Sequence, residues 1–197
     1  EGSFSTSSNL PFEVKNTVKG KNGRTYKFNF PQEWSQELGQ VLGFLIGDGW
    51  LRKGDKNCRV GFTFSKNDQE LLNYFKKIIN KMYGNDVKPI KRKNDTYHLS
   101  YHSKYFVDFF NKLGVKATNS SSKEVPSSVF TAPKEAVTGY LQGLFTAYGT
   151  VSNDKNKGNY YVRLSSKSKT LLKQVQQLLI NLGIKSRIYN RSRKDSN

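Results

Sequence analysis

Ser35-Gln36-Glu37-Leu38-Gly39-Gln40-Val41-Leu42-Gly43-Phe44-Leu45-Ile46-Gly47-Asp48-Gly49 has a second version 100 positions on, within Lys134-Glu135-Ala136-Val137-Thr138-Gly139-Tyr140-Leu141-Gln142-Gly143-Leu144-Phe145-Thr146-Ala147-Tyr148-Gly149. On that offset Gly39 falls on Gly139, Gly43 on Gly143, Leu45 on Phe145 and Gly49 on Gly149, while Asp48 falls on Tyr148. Each stretch reads as a short helix with a stripe of small residues: Gly39, Gly43 and Gly47 in one, Gly139, Gly143 and Ala147 in the other. A glycine inside a helix costs about 1 kcal/mol relative to alanine. Repeating that cost along one face predicts close backbone approach there. The natural partner is the other copy, so Gly39, Gly43, Gly139 and Gly143 predict two helices packed across a pseudo-twofold axis. Gly49 and Gly149 are expected to end the helices as C-caps. Asp48 then sits at the negative end of a helix dipole, a position that suits a carboxylate only if a cation is bound.

Charge points the same way. The 197 residues carry 33 Lys and Arg against 15 Asp and Glu, a formal net charge of +18 at pH 7. Such an excess predicts a polyanionic partner, because cations that neutralise phosphates release counterions. With no long apolar run, signal sequence or basic amphipathic anchor to read, nucleic acid ranks ahead of a membrane surface. Hydrophobic residues at 35% and aromatics at 13% suffice for a buried core, in one large domain or two small ones. The lone Cys58 excludes an internal disulfide framework and a cysteine zinc site, and fits an intracellular, reducing compartment.

The rest of the chain arranges itself around the two motifs. Residues 1–9 are rich in Gly, Ser, Thr and Asn and predict disorder. Alternating apolar residues around Asn22-Gly23 predict a hairpin, so 1–34 reads as an N-terminal arm. Beyond the first motif, strands at 50–53 and 58–65, a helix at 68–82, strands at 87–93 and 96–102 and a helix at 104–113 complete a first repeat, 35–113. A linker rich in Ser, Thr and Lys, 114–133, leads to a second repeat, 134–197. There a strand starts at Val151, residues 160–165 match 60–65, a helix at 171–182 matches 71–82, and a strand at 184–191 matches the one from Val87. Counterparts of the strand 96–102 and the helix 104–113 are not seen, so the second repeat reads as incomplete.

In the strand 58–65, Val60, Phe62 and Phe64 alternate with Arg59, Gly61, Thr63 and Ser65. One face is apolar and the other polar. Such polar faces are the candidates for DNA contact, since a β-ribbon fits the major groove and Arg, Lys, Ser, Thr and His reach base edges and phosphates from it. In the first repeat the candidates are Arg52, Arg59, Thr63, Lys88, Lys91, Lys93, His98 and Ser100. In the second they are Tyr161, Arg163, Ser165, Lys185, Arg187, Tyr189 and Arg191. His98 and His102 are four apart, but on a strand that spacing shares a polar face rather than building a helix-face metal pair.

Residues 41–49 and 141–149 resemble the two signature helices of the LAGLIDADG homing endonucleases. The Gly47-Asp48-Gly49 ending and the run 42–51 are most similar to the intein-associated branch, and the resemblance covers the chain from about Ser35 onward. It implies an α+β fold of two pseudo-symmetric αββαββα repeats, whose antiparallel sheets form a saddle over double-stranded DNA in a monomer. It implies site-specific phosphodiester cleavage with Mg²⁺, or another divalent cation, held by one acid from each signature helix. Asp48 supplies one acid, with Gly47 and Ala147 as further metal-site positions at the same helix ends. Tyr148 stands where the second acid belongs, and a phenol neutral at pH 7 is a poor ligand for Mg²⁺. Cleavage is therefore expected to be impaired while fold and DNA surface persist. The basic residue that the family places near the scissile phosphate falls to Lys123, in Lys123-Glu124-Val125-Pro126, with Lys116 second. A cleavage-incompetent DNA- or intron-RNA-binding protein, a maturase or regulator, is the alternative on the same scaffold. The compartment follows from the origin: cytoplasmic if intein-derived, organellar if intron-encoded.

Overall fold

The computed structural model describes residues 3–54, 57–154 and 159–190. In chain order the elements are β1 (Thr17–Lys19), β2 (Thr25–Lys27), α1 (Gln36–Asp48), β3 (Gly49–Arg52), β4 (Arg59–Ser65), α2 (Gln69–Tyr83), β5 (Ile90–Lys91), β6 (Thr96–His102), α3 (Lys104–Lys112), α4 (Lys134–Tyr148), β7 (Gly149–Asp154), β8 (Asn159–Leu164) and α5 (Lys169–Asn181). The first repeat thus runs αββαββα and the described part of the second runs αββα.

The motif helices α1 and α4 lie against each other backbone to backbone. A methyl group placed on Gly39 would collide with the carbonyl of Ala136, and one on Gly43 with the carbonyl of Tyr140. From the other side, a methyl on Gly139 would meet the Gln36 carbonyl and one on Gly143 the Gln40 carbonyl. The glycine stripe is therefore the surface on which the two repeats touch, and Gly47 meets Ala147 at its far end. Val41, Leu42, Phe44, Val137, Tyr140 and Leu144 bury the flanks of this seam. A polar strip runs along it: Gln142 accepts from Gln36 (2.8 Å) and from Gln40 (2.9 Å), and Tyr74 of α2 donates to Gln40 (2.5 Å). At its start, the Ser35 hydroxyl accepts from the Leu38 amide at 3.1 Å and caps α1.

The helix ends differ from expectation. Gly49 and Gly149 are extended, with φ of −103° and −77°, rather than left-handed, and each passes straight into a strand. Side-chain room demands glycine there: a Cβ on Gly49 would come within 2.6 Å of the Leu45 carbonyl oxygen.

In the first repeat the antiparallel sheet has the order β3-β4-β6-β5. Val60, Phe62 and Phe64 point to the core, where Phe44 of α1 stacks on Phe64 (centroids 5.0 Å) and on Phe75 of α2 (4.4 Å). Phe106, Val107 and Phe110 of α3 are fully buried in the same core. The expected strand 87–93 shortens to Ile90–Lys91, the two residues in ladder register with His98 and Tyr97 of β6; the Arg92 amide adds a bond to the Thr96 carbonyl (2.8 Å) where the connection turns back.

The second repeat departs further. Gly149 pairs with Leu164 and Val151 with Val162, whereas in the first repeat Gly49 pairs with Phe62 and Leu51 with Val60. The structural match for Val60 is therefore Val162, two residues beyond the offset read from the motifs; an even shift leaves each side chain on its expected face. Residues 184–190, expected as a strand, form none. In the first repeat β5 takes its ladder from β6, and among the described residues nothing occupies the β6 place beside β8. The helix-side face of β7–β8 is consequently bare: Val162 is 63% exposed where Val60 is 0%, and Val151 is 77% exposed.

At the N-terminus the expected hairpin forms, Val18 opposite Tyr26. The expected disorder of residues 1–9 gives way, within residues 3–9, to attachment. Asn9 bridges to Glu33, the Trp34 amide donates to the Ser8 carbonyl at 2.6 Å, and Leu10 next to them is buried. Phe30 stacks flat on Phe109 of α3 (4.5 Å, 3°) and ties this arm to the first repeat.

Candidate nucleic-acid interface and metal centre

Two surfaces meet at the axis: the helix ends and the polar faces of the sheets. Asp48 and Tyr148 follow immediately on the Gly47–Ala147 contact, so a carboxylate and a phenol end the paired helices. Lys123 joins the two ends. Its ammonium donates to the Gly47 carbonyl at 2.5 Å and to the Tyr148 hydroxyl at 3.0 Å, and lies 5.1 Å from the centre of the Tyr148 ring. A cation here answers the partial negative charge of a helix C-terminus. Burial lifts the Asp48 carboxyl above its ordinary value; Lys123 pulls it down and Asp68 pushes it up again.

Lys123 belongs to the segment between the repeats, and α5 fixes that segment. The Ser168 hydroxyl, which caps α5 by accepting from the Leu171 amide, donates to the Lys123 carbonyl at 2.6 Å. The Gln174 side chain accepts from the Val125 amide at 2.8 Å. Lys116, the second choice for the basic role, is instead paired with Glu124 at 2.8 Å on the surface. Sequence reading named Lys123 but missed Ser168 and Gln174, whose only trace is a Ser three residues before Leu171, the pattern of a helix cap.

Among the described residues no group of three or more His, Cys, Asp or Glu could hold a metal ion. A divalent cation at the axis would have one protein carboxylate, Asp48, and the peptide carbonyl at Ala147, since the Gly47 carbonyl already accepts from the Lys123 ammonium. Mg²⁺ accepts one or two carboxylates if phosphate oxygens and water complete its shell. A half-buried carboxylate at a helix C-terminus, raised by burial and a second acid, fits one such ion. It does not fit two, since the phenol at 148 brings no charge.

The sheet faces carry the other candidates. Cross-strand pairing puts Arg52 opposite Arg59 and Arg59 opposite His102, Trp50 opposite Gly61 and Gly61 opposite Ser100, and Thr63 opposite His98. These form one surface, away from the helices. The Trp50 indole lies across Gly61, leaving no room there for a side chain. Ser100 is buried, its hydroxyl 3.3 Å from the His102 Nε2, so it positions His102 instead of facing DNA itself. Lys91 pairs with Tyr97, which puts it on the helix side of the sheet; Ile90, paired with His98, takes the polar face. The reason is the alternation of a strand anchored one residue away from the expected phase. Lys88 and Lys93 are exposed in the connections on either side of β5. Burial, with Arg92 close by, holds His98 below the ordinary imidazole value, and burial with Arg59 does the same for His102.

In the second repeat Thr150 opposite Arg163 and Ser152 opposite Tyr161 make the equivalent face. Ser165 is exposed just past β8, and Lys185, Arg187 and Tyr189 are exposed in the irregular segment after α5. Arg191 lies outside the described residues. Sequence reading missed Trp50, Thr150 and Ser152; a glycine on the polar side of a strand, Gly61, was the available sign of a close approach.

Residues 39–125 match the WhiA LAGLIDADG-like domain, and residues 135–197 match a LAGLIDADG-like domain. The chain is 29% identical over 175 residues to a glutamine–fructose-6-phosphate aminotransferase of Methanocaldococcus jannaschii, and 29% identical over 156 residues to a DNA polymerase of Thermococcus kodakarensis. These alignments take in 88% and 77% of this chain but only 15% and 8% of those proteins. Among solved structures, mesophilic variants of the homing endonuclease I-DmoI share the fold, with a TM-score of 0.52 and 21% identity over 81% of this chain and 78% of theirs. The mixed α+β architecture, with its antiparallel sheets, is that of the LAGLIDADG homing endonucleases. No helix among the described residues is long and apolar enough to cross a membrane.

Proposed function

We propose, for a chain whose two halves each match a LAGLIDADG-like domain, that it binds a long duplex DNA site specifically and cleaves both strands poorly or not at all. The single observation that carries this reading is the unequal pair at the helix ends: one carboxylate, Asp48, beside one phenol, Tyr148, with the Lys123 ammonium bonded to both ends. DNA lies across the polar faces headed by Arg52, Arg59 and Thr63 in one repeat and by Tyr161 and Arg163 in the other. Because both repeats sit on one chain, a monomer spans both halves of the site. Cleavage of the phosphodiester, in the family manner, takes a divalent cation such as Mg²⁺ to polarise the phosphate and lower the pKa of the attacking water. Asp48 would hold that ion, and the Lys123 ammonium would stabilise negative charge on a phosphate next to it. Without an acid at 148 the second half of the metal arrangement lacks its ligand.

An intein-associated origin is part of the same proposal. Its support is the company of relatives: an aminotransferase and a DNA polymerase, unrelated in chemistry, each align with this chain over a small fraction of their length. A segment common to such hosts behaves as an inserted element, which would place the chain in the cytoplasm of its host. The second reading, a binder without cleavage that grips DNA or intron RNA, is favoured by the same Tyr148.

Selection of bound duplexes from a random pool identifies the site. A supercoiled plasmid carrying it is then incubated with Mg²⁺ and scored for nicked and linear product. The expected result is tight binding with little linear DNA, and more linear DNA from Tyr148→Asp. Equal double-strand cleavage by the two proteins removes position 148 from the metal centre. Preference for intron RNA over every duplex transfers the chain to the second reading.

A further inference from the structure

One cleft of the molecule lies outside the sheet faces. It encloses about 680 Å³ between the β1–β2 hairpin, the end of α2 and the start of α3, and Lys21, Lys27, Lys104, Tyr26, Tyr105 and His102 are among the residues around it. No carboxylate lines it. Lys21, Lys27 and Lys104 are exposed, and none has an acidic partner within salt-bridge distance among the described residues.

Three observations tie this cleft to nucleic acid. First, it continues the polar face: Arg52, Arg59 and His102 stand side by side across the outer end of the sheet, and His102 is also a wall of the cleft. Second, its aromatic floor is already filled. Tyr26 and Tyr105 pack on each other (5.4 Å, 49°) and the Lys104 ammonium lies 5.0 Å above Tyr105, so both rings already have partners. The cations are presented to a backbone, not to a nucleobase. Third, the hairpin is fixed in place. Asn29 binds the end of α2 through its amide to the Met82 carbonyl (2.9 Å) and its side chain to the Lys81 carbonyl (3.0 Å), and Gly84, left-handed at φ +81°, lets Lys27 approach there. A rigid cationic cleft binds without first losing conformational freedom.

We propose that this cleft takes the phosphodiester backbone of the duplex just outside the first repeat's half of the target. The proposal rests on the DNA-binding reading above and deepens it: no described element of the second repeat corresponds to the hairpin, so the footprint is longer on one flank than on the other.

Hydroxyl-radical footprinting on the selected site tests it, comparing the full chain with the triple variant Lys21→Ala, Lys27→Ala, Lys104→Ala. All three side chains are exposed, and equal melting midpoints verify the fold of the variant. The full chain should protect an extra stretch on one flank only. The variant should lose that stretch, keep the central protection, bind about tenfold or more weakly and show a slope of log affinity against log salt reduced by about 2 to 3, near 0.9 per lost phosphate contact. Shortening the DNA on that flank should then weaken only the full chain. A symmetric footprint overturns the proposal, as does an unchanged salt slope, while central protection stands in both cases. Absence of any duplex footprint overturns the DNA-binding reading itself. Loss of RNA affinity in the variant with duplex binding intact assigns the cleft to another ligand and overturns the proposal too.

Discussion

Asp48 is held in a charged state that its surroundings oppose. Because burial raises its folded pKa above the ordinary 3.8, the folded chain binds this proton more tightly than the unfolded chain does, and the residue erodes stability as pH rises through the carboxylate range. Asp48→Asn should therefore melt at a higher temperature than the parent at pH 7, with the gain shrinking toward pH 4, in thermal scans across that interval. The same change should tighten DNA binding, by removing repulsion from phosphate, and abolish residual cleavage. His98 and His102 have the opposite linkage. Their lowered pKa values mean stability present above the ordinary 6.5 and lost as pH falls through the folded values. Bound phosphates favour the charged imidazole, so DNA should protect against mild acid; proton uptake on binding, measured by calorimetry in two buffers, checks this. Asp48 was legible as a residue at an uncomfortable helix end. Ser100 was not, because alternation places it on the polar face and does not reveal that this position, paired with Gly61, is buried.

Among the elements, the α1–α4 pair tolerates least. Gly43 faces a peptide carbonyl, not a side chain that could swing away. Gly43→Val should cost about 3 kcal/mol or more, at the upper end of overpacking effects, and denaturant melts should register it as a lower midpoint. An exposed substitution such as Lys77→Ala should stay within about 0.5 kcal/mol. Ser168→Ala removes the α5 cap at a cost of about 1 kcal/mol and also frees the Lys123 backbone, so it should lower whatever cleavage a Tyr148→Asp chain gains. The paired helices were readable from a single glycine stripe, since so costly a pattern needs a backbone partner. The strand at 184–190 was not readable as absent, because a strand exists only with a neighbour, and the sequence of one segment says nothing about the neighbour. The two-residue shift of β8 was hidden for the same reason: motif spacing fixes the helices, while the register of β8 is set by its pairing with β7.

For the molecule as a whole, the formal net charge is +18. Binding to the selected duplex should fall steeply with salt, with a slope implying about six or more phosphate contacts; fluorescence titrations from low to physiological salt measure it, and a flat response would contradict the footprint. The two halves are unequal supports for this charge. One sheet of four strands is backed by α2 and α3, and the other has two described strands whose back is bare.

That bare back sets the order in which the molecule opens. Amides of β4, central in its sheet with Val60 and Phe62 sealed behind them, should exchange with solvent only on global unfolding. Those of β8, which among the described residues pairs on one side only and has Val162 exposed behind it, should exchange through local opening at a much lower free energy. Duplex DNA laid on Tyr161 and Arg163 should slow β8 far more than β4. On the DNA-binding reading proposed above, the second half-site is then met partly by an act of folding: the first half offers a finished surface, and the second half gains order as it binds.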